Sequence, residues 1–144
     1  MISFAAVGQA QPSASIKLSE LPEVEHEVQK IHKETSMPPD VKFKAVTGNA
    51  ATIEGAVRVF RDHRWIHLAC HGAQHAEKPF ESWFAMGDGK LTLMRIIQER
   101  YTNSEFAFLP ACHTAVGDRS TPDKVLHLAA GMQFAGFNGV IGTL

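Results

Sequence analysis

Two short stretches of the sequence hold the residues that could do chemistry. Residues 66–75, IHLACHGAQH, contain His67, His71 and His75 at four-residue spacing, and Cys112 follows in the stretch FAFLPACHTAVGD. Several histidines close together in sequence suggest a metal site, whereas a thiol beside an imidazole is the nucleophile and base of covalent catalysis. The elements that position these side chains decide which chemistry the sequence favours.

The three histidines would share one face only if their segment were helical. The apolar run RWIHLAC, bounded by RDHR and Gly72, has the length of a strand, so the pattern predicts that the three rings scatter. No Glu follows His67, as a zinc-binding helix would require. We expect His67 to be a buried strand residue and His75 a solvated loop residue. A metal-dependent hydrolase is therefore the least favoured alternative, and we predict neither a metal nor a cofactor.

His71 and Cys112 each fall just past the carboxyl end of a predicted strand. Catalytic and ligand-binding residues collect at these ends in open parallel sheets, so two neighbouring strands would bring the thiol and the imidazole together. From this reasoning alone, a catalytic dyad and two unrelated surface residues are about equally favoured. Cys70 lies inside an apolar run and is predicted to be buried and inert. Cys112 is predicted to be the more accessible and reactive thiol.

The remaining sequence alternates between strand and helix patterns. Strands are predicted at 2–7, 41–46, 64–70, 106–109 and 139–144. Helices are predicted at 21–34, from Thr52, from Thr92 and in the segment 121–136, with Thr121 as its N-cap and Gly136 just past its end. A hairpin is predicted at 82–92, with its turn at Asp88-Gly89. This alternation is typical of an α/β fold with a mostly parallel sheet and helices on both faces. The length and the hydrophobic content of 44% predict one domain over residues 1–144.

The composition argues against several classes of function. The chain has 14 Lys and Arg against 15 Asp and Glu, so no basic excess points to nucleic acid or an anionic membrane surface. No apolar run approaches the roughly 20 residues of a membrane span. Two cysteines make no disulfide framework and favour a reducing, cytoplasmic location. We expect no nucleic-acid partner and no membrane partner.

The segment HLACHG, followed by LPACHTAVGD and HLAAGMQFAGFNGVIGTL, resembles the CHAT domain. This family belongs with the separases, caspases and metacaspases among cysteine peptidases. The resemblance extends from ELPEVEHEV through DGKLTL to GVIGTL, nearly the whole chain, and looks closest to the CHAT domains of fungi. It implies a caspase-like α/β sandwich.

Carried over by motif, the resemblance assigns roles to three residues. His71 matches the catalytic histidine of the HG pair, and Cys112 matches the nucleophile. Gly72 matches the glycine whose backbone N–H binds the oxyanion, together with the N–H of Cys112 itself. The resemblance implies an endopeptidase that acts on protein or peptide substrates and has no third catalytic side chain. The alternative is a catalytically inactive interaction module with the same fold.

The sequence departs from the family pattern at two places. Pro110 stands two residues before Cys112, where CHAT domains usually have a small polar residue that lines the pocket for the residue before the cut. CHAT domains also continue past the final strand with a Trp, an Asp-containing loop and a last helix, so the resemblance implies that the C-terminal part is missing. GVIGTL would then be an edge strand with Val140 and Ile141 uncovered. We expect such a chain to self-associate and to show little or no peptidase turnover.

Overall fold

A computed structural model describes residues 1–35, 38–73, 75, 77–109 and 124–142. The strands are β1 Ile2–Gly8, β2 Val41–Thr47, β3 Trp65–Ala69, β4 Gly72–Ala73, β5 Trp83–Met86, β6 Gly89–Thr92, β7 Phe106–Leu109 and β8 Gly139–Gly142. The helices are α1 Glu23–Thr35, α2 Ile53–Asp62, α3 Leu93–Gln98 and α4 Lys124–Ala135, and two short 3₁₀ turns lie at Gly48–Ala50 and Pro79–Glu81. No helix in these ranges has both the length and the apolar character to cross a membrane.

Five strands form one parallel sheet in the order β2-β1-β3-β7-β8. The connections between these strands run through helices, as parallel pairing requires. A second, antiparallel sheet of three short strands, β4-β5-β6, lies between β3 and α3 in the chain. The predicted α/β fold with a parallel sheet is confirmed.

The side chains of β3 alternate between two layers of packing. Ile66 and Leu68 lie in the main core, with residues of α2, α3 and α4. Ala69 points to the other side, where it packs with Leu21 and Val24 beside α1. Helices therefore cover both faces of the sheet, and the arrangement is that of a caspase-like sandwich.

Two helices begin at the threonines that the sequence predicted as caps. The hydroxyl of Thr52 accepts a hydrogen bond from the N–H of Gly55 at 3.0 Å, and that of Thr92 accepts one from the N–H of Arg95 at 3.2 Å. Each bond satisfies an N–H that the first turn of a helix leaves without a carbonyl partner. The third predicted cap, Thr121, lies outside the described residues.

The hairpin of β5 and β6 turns one residue earlier than predicted. Met86 pairs with Gly89, so the two loop residues are Gly87 and Asp88 instead of Asp88 and Gly89. The carboxylate of Asp88 accepts a hydrogen bond from the N–H of Ile53 at 2.9 Å, which fixes this side chain at the start of α2. A contact so distant in sequence is not visible in the turn motif itself.

The two outer strands of the parallel sheet differ in charge. β2 carries the exposed Lys42 and Lys44, which oppose pairing with another chain, whereas β8 leaves Ile141 47% exposed. In the described part of the chain, no strand pairs with the outer edge of β8.

The self-association predicted from the sequence remains a prediction. We expect this chain to sediment as a dimer or larger species and Ile141→Lys to shift it towards monomer; a wild-type monomer at all concentrations would contradict this.

Tyr101 is a buried residue whose hydroxyl has no hydrogen-bond partner among the described residues. Its ring packs against Phe60 and Phe137, with centroids 6.2 and 5.8 Å away, and burial raises its pKa to about 12. An unpaired buried hydroxyl costs about 1–3 kcal/mol. We therefore expect Tyr101→Phe to raise the free energy of unfolding by about 1 kcal/mol in urea denaturation. Tyr101→Leu, which removes the ring, should lower it; a loss of stability in Tyr101→Phe would contradict the argument.

Candidate active site

β3 and β7 are parallel neighbours, so the segments that follow them leave the same edge of the sheet. Their register pairs Trp65 with Phe106 and His67 with Phe108. His71 follows β3 directly, past Cys70. Cys112 comes three residues after the end of β7, outside the described residues. The strand arrangement on which the predicted dyad depends is present, and the position of Cys112 itself stays a prediction.

The imidazole of His71 is held at this edge by a backbone group. His71 is only 5% exposed, and its Nε2 lies 2.8 Å from the carbonyl oxygen of Ser19. A carbonyl oxygen can only accept, so Nε2 donates and carries the ring proton. In the neutral ring, the lone pair is then at Nδ1. This tautomer is the one in which Nδ1 can act as a base.

Ser19 is a residue of the candidate site that the sequence did not indicate. It contributes its backbone carbonyl from a position 52 residues before His71, in the segment between β1 and α1. Because every residue carries a carbonyl, no residue type or spacing signals this contact. Only the path of the chain, which leads from β1 past the end of β3, places the carbonyl beside the ring.

Gly72 lies in β4, a two-residue strand that the sequence reasoning did not predict. Gly72 pairs with Phe84, and the N–H of Ala85 donates to the carbonyl of His71 at 2.8 Å. This bond makes Gly72 and Phe84 a non-hydrogen-bonded pair, in which the N–H groups point away from the partner strand. The N–H of Gly72 is therefore directed away from β5.

His67 is buried on the α1 side of the sheet, as predicted for a strand residue. Its Nε2 lies 3.0 Å from a carboxylate oxygen of Glu27 on α1, and its ring packs against that of Phe108 at 5.2 Å. The side chain is 4% exposed. Burial lowers the pKa of His67, and the carboxylate of Glu27 opposes that shift.

Because His67 is buried, we expect the protein to lose stability in acid. The unfolded chain takes up a proton at His67 near the ordinary pKa of 6.5, whereas the folded chain does so only at lower pH. Between these two values, the unfolded state binds more protons, so the free energy of unfolding falls as the pH falls. We expect His67→Gln to flatten this dependence in urea denaturations above and below pH 6.5. The same change at the exposed His26 is the control; an unchanged slope in His67→Gln would contradict the assignment.

The three histidines of residues 66–75 lie in three different environments. His75 is exposed in the loop before the Pro79–Glu81 turn, as predicted, where its Nδ1 accepts a hydrogen bond from the N–H of Lys78 at 3.0 Å. Its Nε2 lies 3.7 Å from the carboxylate of Glu81. Within the described ranges, no group of three His, Cys, Asp or Glu residues is arranged to hold a metal ion.

Cys70 is buried, as the sequence predicted. It is 1% exposed and lies in the main core with Ile66 and Leu68. A thiol buried in this way is less accessible to reagents than an exposed one. The inertness of Cys70 relative to Cys112 stays a prediction.

A parallel five-stranded sheet between helices, with a buried His-Gly pair at its carboxyl edge, defines a domain of the caspase-like α/β class. The sequence matches the profile of the CHAT domain family over residues 3–144. The chain therefore belongs to the CHAT domain family and is related to the caspase-like cysteine peptidases, which confirms the resemblance seen in the sequence. A search among curated proteins found no match to this chain.

Proposed function

We propose that this domain is a cysteine endopeptidase in which Cys112 is the nucleophile and His71 the proton carrier. The observation that carries the proposal is the hydrogen bond from Nε2 of His71 to the carbonyl of Ser19. It favours the tautomer with a basic Nδ1, at the sheet edge from which the Cys112 segment also departs. Membership of a family related to cysteine peptidases supports the same assignment.

Acylation begins with the transfer of the thiol proton of Cys112 to Nδ1 of His71. The thiolate attacks the carbonyl carbon of the scissile peptide bond, and the carbonyl oxygen becomes an oxyanion. The imidazolium then donates its proton to the leaving amine as the C–N bond breaks, which leaves a thioester on Cys112. Throughout, the Ser19 carbonyl holds the ring in one orientation and stabilises its positive charge.

The oxyanion is assigned to the backbone N–H groups of Gly72 and Cys112. The outward direction of the Gly72 N–H, set by the bond between Ala85 and His71, supports this role. One such donor contributes about 2.7–4 kcal/mol to transition-state stabilisation in a comparable site. Deacylation uses the same groups: His71 removes a proton from water, the hydroxide attacks the thioester, and the thiol of Cys112 leaves with that proton.

Covalent labelling by peptide electrophiles tests this proposal. Peptidyl acyloxymethyl ketones with a varied residue before the reactive group should label the folded protein at Cys112 faster than a small alkylating agent of equal reactivity does. The residue before the reactive group must be varied, because Pro110 stands at the position that lines the pocket for this residue in CHAT domains. A proline there has no charge that would favour one kind of side chain. Mass mapping of the labelled peptides identifies the thiol that reacts.

Two variants serve as controls for the labelling. Cys112→Ser should abolish the label, whereas Cys70→Ala should retain it, because Cys70 is buried in the main core. Labelling at Cys70, or equal rates for peptidyl and small electrophiles, would refute the peptidase proposal. The second of these results would favour an inactive interaction module with the same fold.

A further inference from the structure

The carbonyl of Ser19 belongs to a connecting segment that is anchored on both sides of it. Residues 9–22 connect β1 to α1, and Lys17, Ser19 and Glu20 are all exposed. The segment is tied to the hairpin by a hydrogen bond from the N–H of Ser13 to the carbonyl of Met86 at 3.1 Å. Ile16, three residues before Ser19, is also buried, and its carbonyl accepts a hydrogen bond from the N–H of Leu18 at 2.8 Å. These contacts lie on the β1 side of Ser19, whereas Leu21 lies on the α1 side.

Leu21 is the buried side chain nearest to Ser19 in the sequence. It is buried in a small cluster with Val24 and Ala69, against which Ala10 packs. Its N–H donates to the carbonyl of Ala10 at 2.8 Å and so closes the loop on itself. Ala69 is the last residue of β3, two positions before His71. The side chain of Leu21 therefore joins the segment that supplies the carbonyl to the strand that supplies the imidazole.

We propose that Leu21 is a positioning residue that sets the tautomer and orientation of His71 by holding the Ser19 carbonyl against its ring. As a role in catalysis, this inference rests on the proposed function. Leu21 touches neither substrate nor the reacting atoms and acts only through Ser19. Positioning of a catalytic group to within about 1 Å changes rates by up to about a hundredfold.

The Ser19 carbonyl cannot be removed by a side-chain substitution, so Leu21 is the means of testing its position. Leu21→Ala removes the anchor, and Leu21→Ile restores apolar volume at the same place. Val28→Ala is the control, because Val28 is also buried on α1 and packs over Gly8 of β1 without belonging to the Leu21 cluster. The readout is nitrogen NMR of ring-labelled histidine in the full chain, which reports the protonated nitrogen of His71 directly, together with kcat and KM on a cleaved peptide.

The wild type and Val28→Ala should show His71 protonated at Nε2. Leu21→Ala should show a mixture of both tautomers, and its kcat should fall about tenfold while its KM changes little. Leu21→Ile should restore the wild-type pattern. An unchanged tautomer in Leu21→Ala, or an equal change in Val28→Ala, would overturn the inference. If Leu21→Ala changed the tautomer but the wild type showed no turnover, the positioning of His71 by Leu21 would be upheld and the peptidase proposal would be refuted. The positioning inference and the peptidase proposal therefore fail on different results.

Discussion

Replacing Cys112 with alanine is expected to lower kcat for any peptide cleavage that the wild type shows by up to about 10⁶-fold, as loss of the nucleophile does in another covalent hydrolase, and to leave only the rate that substrate binding and the oxyanion N–H groups supply. The reason is that the thioester route disappears with the sulfur. His71→Ala removes the proton carrier and keeps the thiol, so a loss of about 10²–10⁴-fold is expected. Both losses are measured as kcat and KM on a peptide selected by electrophile labelling.

The controls for these variants come from the same motifs. His75→Gln changes an exposed histidine four residues after His71, and Cys70→Ala changes the buried cysteine directly before it. Both should keep turnover within about threefold of wild type, because neither side chain takes part in the proposed proton transfers. If His75→Gln lost as much activity as His71→Ala, the assignment of the proton carrier would be wrong.

His71 and Cys112 could be proposed from the sequence because their chemistry depends on residue type. A histidine after one strand and a cysteine after another can meet where the two strands are parallel neighbours, as β3 and β7 are, and the resemblance to CHAT domains is what favoured a dyad over two unrelated residues. The Ser19 carbonyl could not be predicted, because it is a backbone atom brought in by a loop. The direction of the Gly72 N–H depends on its pairing with Phe84, which two residues of strand do not signal.

Some features of the fold also depend on contacts between residues close in sequence, and others on contacts between residues far apart in sequence. The starts of α2 and α3 were predictable, because Thr52 and Thr92 bond to an N–H only three residues away. The position of the β5–β6 turn was not, because Asp88 bonds to the start of α2, 35 residues earlier in the chain. Burial of His67 followed from its apolar strand, but its partner Glu27 lies on a helix that only the packed sheet brings near.

The end of α4 is fixed by Gly136, which the sequence predicted just past this helix. The N–H of Gly136 donates to the carbonyl of Gln133 at 3.1 Å, and that of Phe137 donates to the carbonyl of Met132 at 3.2 Å. These two bonds close the last turn in a Schellman motif, for which residue 136 takes a φ of +127°. A Cβ at this position would lie 2.6 Å from the carbonyl oxygen of Tyr101.

Gly136→Ala is therefore expected to lower the free energy of unfolding by about 2–4 kcal/mol, as measured by urea denaturation. Two costs contribute: a φ that side-chain-bearing residues rarely adopt, and a contact with backbone that cannot rotate away. Gly48→Ala is the matched control, because Gly48 also has a positive φ, of +60°, but a Cβ there would meet nothing within 4 Å. It should cost only about 1–2 kcal/mol. Equal losses in the two variants would mean that the Tyr101 carbonyl yields to the new methyl group and that the helix end is not rigidly packed there.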